Sequence, residues 1–487
     1  MPVLTELPAT HLATTSRLAD RLAAGWALVV ALLLVVVFRG HGFDDPYITY
    51  RYAANLAAGE GFVYNPGERV LSTTAPLYGL LLAPAAAAGL DLPLVSNALG
   101  CLSLGAGALA FWWLGRLAAL PIAGGVAALL YPLSPQLVFT LGAETSFFIA
   151  LALWGFVAIA ARRPVWTGLL MAGASLARAD AALAAAVGAL GVVLAGGWRA
   201  MQRYAAVYLL TMTPFLAVAW AYFGAPLPAT LGAKRSQAHI PGSRSYASGL
   251  LGLVTGLAGQ PLFWPLFGLA PLGLVAGLRR RGPLLLPLAW GLLHAAAYSL
   301  LGVTAYFWYY GPAVVALVAA AALGAAVLAE WLRALAGARL GTVALAALVG
   351  AVLVGQVLAL GAIAARPDAR LALYREAGRW LATNTAPGAR VGALEVGVIG
   401  YYSGRPMVDF AGLIQPELAQ VFRAGGDYGV AARQAIATLR PAYLVSQEAA
   451  LPLVTAEPAL AARCAPVAAF ADGRYPAPLR IYRCTWP

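Results

Sequence analysis

Eleven apolar runs in the first 365 residues constrain this chain more than any other feature. A transmembrane helix needs about 17–25 predominantly apolar residues, because the hydrocarbon core of a bilayer is roughly 30 Å thick. The sequence therefore predicts a mainly α, polytopic membrane protein with about 11 spans. The runs cover residues 22–38, 75–90, 92–114, 117–141, 146–161, 166–196, 204–223, 262–278, 283–302, 311–329 and 341–364.

The distribution of charged residues divides the chain into two regions. Asp, Glu, Lys and Arg make up about 8% of residues 1–365 but about 18% of residues 366–487, and soluble domains carry about 25%. We therefore expect a membrane domain over 1–365 and a small soluble α/β domain over 366–487. In the second domain the pattern predicts helices at 374–384 and 429–439 and strands at 390–398, 442–445 and 479–483.

Basic loop residues predict the orientation of the spans. Arg17 and Arg21 precede the first run, and further Arg residues cluster at 162–163, 199–203, 279–281 and 333–339. The positive-inside rule places all of these in the cytoplasm. The outside then receives the loop after Phe38, residues 178–180, the loop after Phe223, residues 305–310 and the C-terminal domain. Four runs lie between Phe38 and Arg162 where an odd number of crossings is needed, so one of these four is not expected to span.

The net charge of +13 does not indicate nucleic acid as a partner. The basic residues are scattered singly between apolar runs and form no patch, whereas nucleic-acid-binding proteins cluster them on one face. Of the 32 basic residues, 31 are Arg and one is Lys234. Two interpretations stay open: a genome that favours Arg codons, or a site that requires a compact ammonium rather than a planar guanidinium.

The three cysteines bear on location. Cys101 lies in an apolar run and is expected to serve packing. Cys464 and Cys484 both lie in the polar C-terminal region, which favours a disulfide and an oxidising, extracytoplasmic environment; two free thiols are the alternative. The run at 22–38 lacks a small-residue cleavage site, so it is interpreted as a retained span rather than a signal peptide.

Acidic residues of the membrane region collect on its predicted outer side. Ionisable groups at membrane depth are costly and usually functional. The adjacent Asp44 and Asp45 predict a general base, because a carboxylate near a like charge has a raised pKa and is a stronger base. Helix capping ahead of Pro46 is a competing role for one of the two. The acids on this side are Asp44, Asp45, Glu60, Glu68, Glu144 and Asp180.

The same predicted face offers cations and aromatic rings. An anionic phosphate needs a point charge or a guanidinium fork together with hydroxyl donors. Residues 306–310, which include Tyr309 and Tyr310, either form an interfacial aromatic belt or bind a sugar. Residues 46–58 predict a short interfacial helix. The cations on this face are Arg51, Arg69, Arg178, Lys234 and Arg235.

An ordered set of segments resembles bacterial GT-C glycosyltransferases, polytopic membrane enzymes that use polyprenyl-phosphate sugars as donors. The arabinofuranosyltransferase and mannosyltransferase-like branches are the most similar. The resemblance covers most of the chain. The segments are FDDPYITYRYAANLAAGEGFVYNPGERVLSTTAPLYGLLLAP (43–84), GAETSFF (142–148), ARAD (177–180), FGAPLPATLGAK (223–234), YFWYYGP (306–312) and GVIGYYSGRPMVDFAGLI (397–414).

The resemblance implies roles for individual residues. An acid of the first outer loop acts as the base in this family; Asp44 and Asp45 match that position, with Asp44 preferred. Basic residues of later loops hold the lipid phosphate, and this tips the interpretation of Lys234 towards function. The flanking Ala179 and Ala181 depart from the family pattern at Asp180. The proposed phosphate-binding set is Lys234, Arg178, Arg235 and Arg51, and the proposed substrate-binding set is Glu144, Asp180, Tyr309 and Tyr310.

The implied activity is transfer of one hexosyl or pentosyl unit, with inversion, from a polyprenyl-phosphate donor to a hydroxyl of a cell-envelope glycan, lipid or protein. The site and C-terminal domain would lie on the extracytoplasmic side of a bacterial plasma membrane. No cofactor is required and no metal ligands are assigned, although the Asp pair could share a divalent cation with phosphate oxygens. Two alternatives stay open: a lipid-linked glycan transporter, and an oligosaccharide polymerase or ligase.

Overall fold

A computed structural model describes residues 17–280, 282–448, 451–475 and 477–487. The described residues from 17 to 365 form helices joined by short turns and two longer connecting segments. The first of these, residues 39–74, is called the first outer loop after its predicted side of the membrane. The helices are α1 Arg17–Phe38, α2 Pro46–Ala57, α3 Pro76–Ala87, α4 Leu92–Leu117, α5 Pro121–Leu130, α6 Pro135–Val138, α7 Thr145–Ala160, α8 Pro164–Ala177, α9 Ala182–Phe223, α10 Ala229–Gln237, α11 Tyr246–Ala258, α12 Trp264–Arg280, α13 Leu285–Leu300 and α14 Gly311–Ala365.

Two of these helices are far longer than a membrane is thick, and each contains a glycine kink. Helix α9 has 42 residues and turns at Gly197, with φ of 69°. Helix α14 has 55 residues and turns at Gly337, with φ of 80°. Glycine adopts this left-handed region without the steric cost that a Cβ would bring. Each kink therefore divides one helix into two apolar halves, beside the basic stretches predicted to be cytoplasmic.

Among the described residues, five helical stretches are long and apolar enough to cross a membrane, and six further apolar helices have 10–17 residues. This agrees with a polytopic membrane protein, while the total of about 11 spans stays a prediction. The longer stretches are Arg17–Phe38, Leu92–Leu117, Ala179–Phe223, Pro261–Arg279 and Phe307–Asn384.

The packing of α1 against α4 favours the apolar run at 75–90 as the one that does not span. Arg116, at the end of α4, forms an ion pair with Asp20, at the start of α1. The segment between these two antiparallel helices therefore begins and ends at the same end of the pair, and α3 lies within that segment, packed on α2. With 12 residues, α3 rises only about 18 Å. Three runs then remain between Phe38 and Arg162, which is an odd number.

The C-terminal region forms a five-stranded mixed sheet with helices around it. The strand order is β2-β1-β3-β5-β4; β1 pairs in parallel with β2 and β3, and β5 pairs antiparallel with β3 and β4. A disulfide joins Cys464 to Cys484, which face each other across β4 and β5. The elements are α15 Ala369–Asn384, β1 Val391–Ala393, α16 Gly397–Ser403, β2 Met407–Asp409, α17 Ala419–Arg423, α18 Tyr428–Leu439, β3 Tyr443–Ser446, α19 Pro458–Ala461, β4 Cys464–Phe470 and β5 Leu479–Cys484.

Two local predictions were wrong. The strand predicted over 390–398 ends at Ala393, because the chain turns into α16 at Gly397, where a Cβ would lie 2.0 Å from the Asp44 carbonyl oxygen. The helix predicted over 46–58 forms, but Pro46–Ala53 is buried rather than interfacial. It is enclosed by α3 and α16. The sequence analysis also did not predict β2 and β4.

Arg51 joins the first outer loop to the C-terminal region. Its guanidinium donates to the backbone carbonyl oxygens of Tyr64 (2.8 Å), Gly400 and Arg405 (2.7 Å). Asn65 adds a pair of hydrogen bonds to the backbone of β2, each 2.9 Å long. A buried cation is tolerated only where hydrogen bonds replace its hydration. The two segments are therefore fastened together by one guanidinium, each of whose nitrogens donates a hydrogen bond, and by one amide.

Replacing Arg51 by Lys is expected to loosen this junction. A lysine has one ammonium in place of the three-way fork, so at least one buried carbonyl loses its partner, and each charge-assisted hydrogen bond contributes about 1.5–3 kcal/mol. We expect a lower melting temperature for the purified protein in detergent and faster tryptic cleavage within 366–487. Arg390→Lys is the matched control, because Arg390 is half exposed and lies 3.9 Å from Glu68. Equal melting of Arg51→Lys and Arg390→Lys would contradict the role of Arg51.

Candidate active site

A small cavity brings together residues from six separate parts of the chain. The first outer loop, the start of α7, the turn after α8, helix α10, the aromatic turn before α14 and the loop after β2 all contribute to it. Its volume is about 40 Å³, so a sugar ring entering it must displace side chains. Four of the residues singled out from the sequence line it: Asp45, Glu144, Arg178 and Lys234.

Asp45 and Lys234 form an ion pair in this cavity. The Lys234 Nζ lies 2.6 Å from Asp45 Oδ2, although 189 positions separate the two residues. The ammonium also lies over aromatic rings, 4.6 Å from the centre of Trp308 and 5.0 Å from that of Tyr306. Burial opposes the charged form, but the Asp45 carboxylate outweighs it and raises the pKa of Lys234. The chain's lone lysine is therefore held as a cation.

Asp44 faces in a different direction. Its two carboxylate oxygens accept hydrogen bonds from the backbone N–H groups of Gly397 and Val398, each 2.8 Å long. Burial and the nearby Glu395 carboxylate raise the pKa of Asp44, while these two N–H groups lower it. Asp44 thus caps α16. Asp45 makes no side-chain capping bond to the helix that follows it. The geometry favours Asp45 over Asp44 as the residue available for chemistry, opposite to the sequence-based preference.

Arg178 is the centre of a buried charge network. Its guanidinium contacts Glu144 Oε1 at 2.5 Å and Asp180 Oδ1 at 3.0 Å. Asp180 Oδ2 accepts hydrogen bonds from Arg178 Nε (3.1 Å) and from the Tyr298 hydroxyl (2.9 Å), and lies 3.3 Å from His294 Nε2. The ion-paired side chains are all more than nine-tenths buried. Arg178 therefore lines the cavity with its charge already opposed by two carboxylates.

Five of the predicted binding residues do not line the cavity, and two of these five, Asp180 and Tyr309, contact Arg178, which does. The Arg51 guanidinium is hydrogen-bonded at the junction described above. Arg235 is exposed, next to the buried Lys234 on α10. Tyr310 donates to the Tyr246 carbonyl oxygen at 3.2 Å, while its neighbour Tyr309 stacks over the Arg178 guanidinium at 5.1 Å. We therefore keep Asp180 and Tyr309 next to the site and leave out the other three.

One wall of the cavity consists of Ser and Thr side chains that were not predicted from the sequence. Thr49 and Thr73 share a 2.8 Å hydrogen bond, and the Thr230 hydroxyl is buried with no partner among the described residues. These groups can donate to phosphate or sugar oxygens. The run of hydroxyl residues at 72–74 within the quoted first-loop segment was the available signal. The wall comprises Thr49, Ser72, Thr73, Thr74 and Thr230.

The two carboxylates of the Asp pair have different partners. Asp44 is bonded to backbone N–H groups and Asp45 to Lys234, so a divalent cation shared by the pair stays a prediction. Within the described part of the chain, no group of three or more His, Cys, Asp or Glu side chains lies close enough to hold a metal ion. We route no chemical step through a metal.

Comparison with known proteins identifies a fold. The chain resembles ArnT from Cupriavidus metallidurans, solved bound to undecaprenyl phosphate: TM-score 0.61, 15% identity, 94% of this chain and 98% of that chain covered. It also resembles the oligosaccharyltransferase AglB from Archaeoglobus fulgidus, solved with an inhibitory peptide and a dolichol-phosphate: TM-score 0.59, 15% identity, 86% and 69% covered. The fold thus resembles the GT-C type expected from the sequence.

Comparison of the sequence with protein families identifies a match only in the C-terminal region. Residues 363–482 match a family described as "Domain of unknown function (DUF8728)". No curated protein sequence matches the chain. The family match covers most of the C-terminal sheet, while the division of the chain at residue 365 stays a prediction.

Removing the charge of Arg178 is expected to destabilise the protein strongly. Arg178→Met leaves Glu144 and Asp180 buried without their cation, which costs about 3–5 kcal/mol for a pair of this kind. The triple variant Arg178→Met, Glu144→Gln, Asp180→Asn removes all three charges and is expected to recover most of the loss. Thermal unfolding in detergent measures both. A triple variant no more stable than Arg178→Met would show that unpaired charge is not the cause.

Proposed function

We propose that this protein is an inverting glycosyltransferase that moves a sugar from a polyprenyl-phosphate donor to an acceptor hydroxyl on the outer face of the membrane. The observation that carries the proposal is the 2.6 Å contact between Asp45 and Lys234 in a cavity that Arg178 also lines. A candidate base and two phosphate-binding cations thus meet at one place. This combination suits inverting transfer, in which a base takes the acceptor proton and cations stabilise the leaving phosphate.

In the proposed reaction the donor phosphate binds first, near Lys234 and Arg178. The phosphate competes with Asp45 for the Lys234 ammonium. Asp45, freed from its ion pair, then accepts the proton of the acceptor hydroxyl as its oxygen bonds to the anomeric carbon. The bond between that carbon and the phosphate oxygen breaks, and the electron pair stays on the lipid phosphate. Preorganised cations stabilise such a developing anion.

The donor class is supported by the neighbours of the fold. ArnT was solved with undecaprenyl phosphate and AglB with a dolichol-phosphate, so this fold accommodates polyprenyl phosphates in both proteins. The residue patterns quoted above further support a sugar of the arabinofuranosyl or mannosyl type. We place the enzyme in a bacterial plasma membrane.

The acceptor is proposed to approach from the side of the C-terminal region. The loop after β2 reaches the cavity through Leu413. Asp409 holds this loop by accepting hydrogen bonds from the N–H groups of Ala411, Leu413 and Ile414. Gln237, on the helix that carries Lys234, donates to the Ala411 carbonyl oxygen at 2.9 Å. One loop thus borders the cavity and is fixed to the element that would hold the phosphate. A cell-envelope glycan, lipid or protein would present its hydroxyl here.

Block transfer of an oligosaccharide is the alternative that the AglB likeness favours, because that protein is an oligosaccharyltransferase. The mass of the product distinguishes the two activities: it increases by one sugar for a monosaccharide transferase and by a whole preassembled oligosaccharide for block transfer. A transporter is less well supported, because the cavity collects its acids at one end of the helices, whereas a transporter is expected to line a path with charge.

Asp45→Asn is expected to lower the turnover number by about 10²–10⁴, because a positioned general base contributes that range. The measurement is sugar transfer by the purified enzyme from a panel of polyprenyl-phosphate monosaccharides. Asp44→Asn is the comparison: it keeps one carbonyl oxygen for the α16 N–H groups, so we expect lower thermal stability and a much smaller loss of turnover.

The two variants also decide between the carboxylates. Wild-type turnover by Asp45→Asn would exclude Asp45 as the base. A loss confined to Asp44→Asn, at unchanged melting temperature, would return the role to Asp44.

A further inference from the structure

His294 is a buried ionisable residue that the proposed reaction does not use. It lies on α13, and its side chain is fully buried. Its Nε2 is 3.3 Å from Asp180 Oδ2, and its ring stacks on Tyr298 with 4.2 Å between centres. Its Nδ1 has no hydrogen-bond partner among the described residues. Ionisable groups in membrane segments are costly and usually functional, so this histidine requires an explanation.

The groups around His294 are few. Asp180 faces it from the turn after α8, Tyr298 from the same helix, and Tyr246 from α11 with ring centres 6.1 Å apart. Helix α14 approaches α13 through glycine and apolar residues, where Gly291 meets Pro312. Arg178 lies beyond Asp180, and Glu144 beyond Arg178. The facing parts of α7 and α9 carry buried apolar residues.

The charges in this part of the site do not balance. Arg178 carries one positive charge, and its partners Glu144 and Asp180 carry two negative charges. The Lys234–Asp45 pair is neutral as a whole. With His294 neutral, the site therefore has a net charge of minus one before any phosphate arrives. A phosphodiester donor adds another negative charge. The phosphate monoester left after transfer carries roughly 1.5 to 2 negative charges at neutral pH.

We propose that His294 takes up a proton when a lipid phosphate binds beside Arg178. The proton enters at Nδ1, the nitrogen without a partner, while Nε2–H keeps its contact with Asp180. Asp180 then faces an imidazolium as well as Arg178, so Arg178 is less fully neutralised and attracts the phosphate more strongly. His294 acts through Asp180 and is a positioning residue. The inference rests on the proposed function, because it takes the donor to be a polyprenyl phosphate.

Isothermal titration of the full-length protein in nanodiscs with undecaprenyl phosphate tests this directly. Titrations at one pH in two buffers of different ionisation enthalpy give the number of protons taken up per lipid bound. We expect wild type to take up close to one proton more than His294→Gln, whose amide can still donate to Asp180 but does not titrate. The lipid's own protonation cancels in the difference. By linkage, one proton corresponds to a change in affinity of up to tenfold per pH unit.

Tyr298→Phe is the matched control. It removes the other hydrogen bond to Asp180 and keeps the histidine, so its proton uptake should match that of wild type. Equal proton uptake by wild type and His294→Gln would overturn the inference. It would also be overturned if Tyr298→Phe lost as much proton uptake as His294→Gln does.

Should His294→Gln fail to fold, His294→Asn takes its place in the same comparison. Equal proton uptake by wild type and His294→Asn overturns the role of His294 and leaves the proposed function intact, since sugar transfer is measured separately. A wild-type protein that does not bind undecaprenyl phosphate overturns both the donor class and this inference.

Discussion

The burial of Arg178 between two carboxylates is the constraint on which the outer end of the helical region depends. A guanidinium removed from water is stable only with opposite charge and hydrogen bonds around it. Glu144 begins α7, Asp180 lies in the turn before α9, and Tyr298 belongs to α13, so one cation fixes the ends of three helices relative to each other. The aromatic turn packs its Tyr309 over the same group. This network therefore connects the elements that surround the proposed site.

The first outer loop depends on a second arrangement of the same kind. Asp44 caps α16 in the C-terminal region, and each nitrogen of the Arg51 guanidinium donates to a carbonyl oxygen at the junction. Because Asp44 is held by the C-terminal region, its neighbour Asp45 is directed the other way, towards Lys234. Capping and the proposed chemistry are thus divided between adjacent carboxylates. The helix that is capped lies more than 350 positions away in the sequence, not directly after Pro46.

The sequence predicted what is local and could not predict what is tertiary. The lengths of the apolar runs predicted the helical membrane region, and the ordered motifs predicted the type of fold. Both signals are carried by contiguous residues. Arg51 and Arg178 look equivalent as sequence, yet one fastens a junction and the other lines the cavity, since long-range contacts decide which partners each guanidinium meets. Strand β2 is short and strand β4 is rich in Ala, so neither has much β-propensity of its own. Both form through pairing, β2 with β1 and β4 with β5.

The cations of the proposed site are all paired before substrate binds, and this has a consequence for selectivity. Lys234 is neutralised by Asp45, and Arg178 by Glu144 and Asp180. A neutral sugar gains little from displacing such pairs, because breaking a buried ion pair is costly unless a new charge replaces the old one. A phosphate supplies that charge. The proposed base is therefore freed only when an anion has taken its lysine, so the ion pair ties proton transfer to the arrival of the donor.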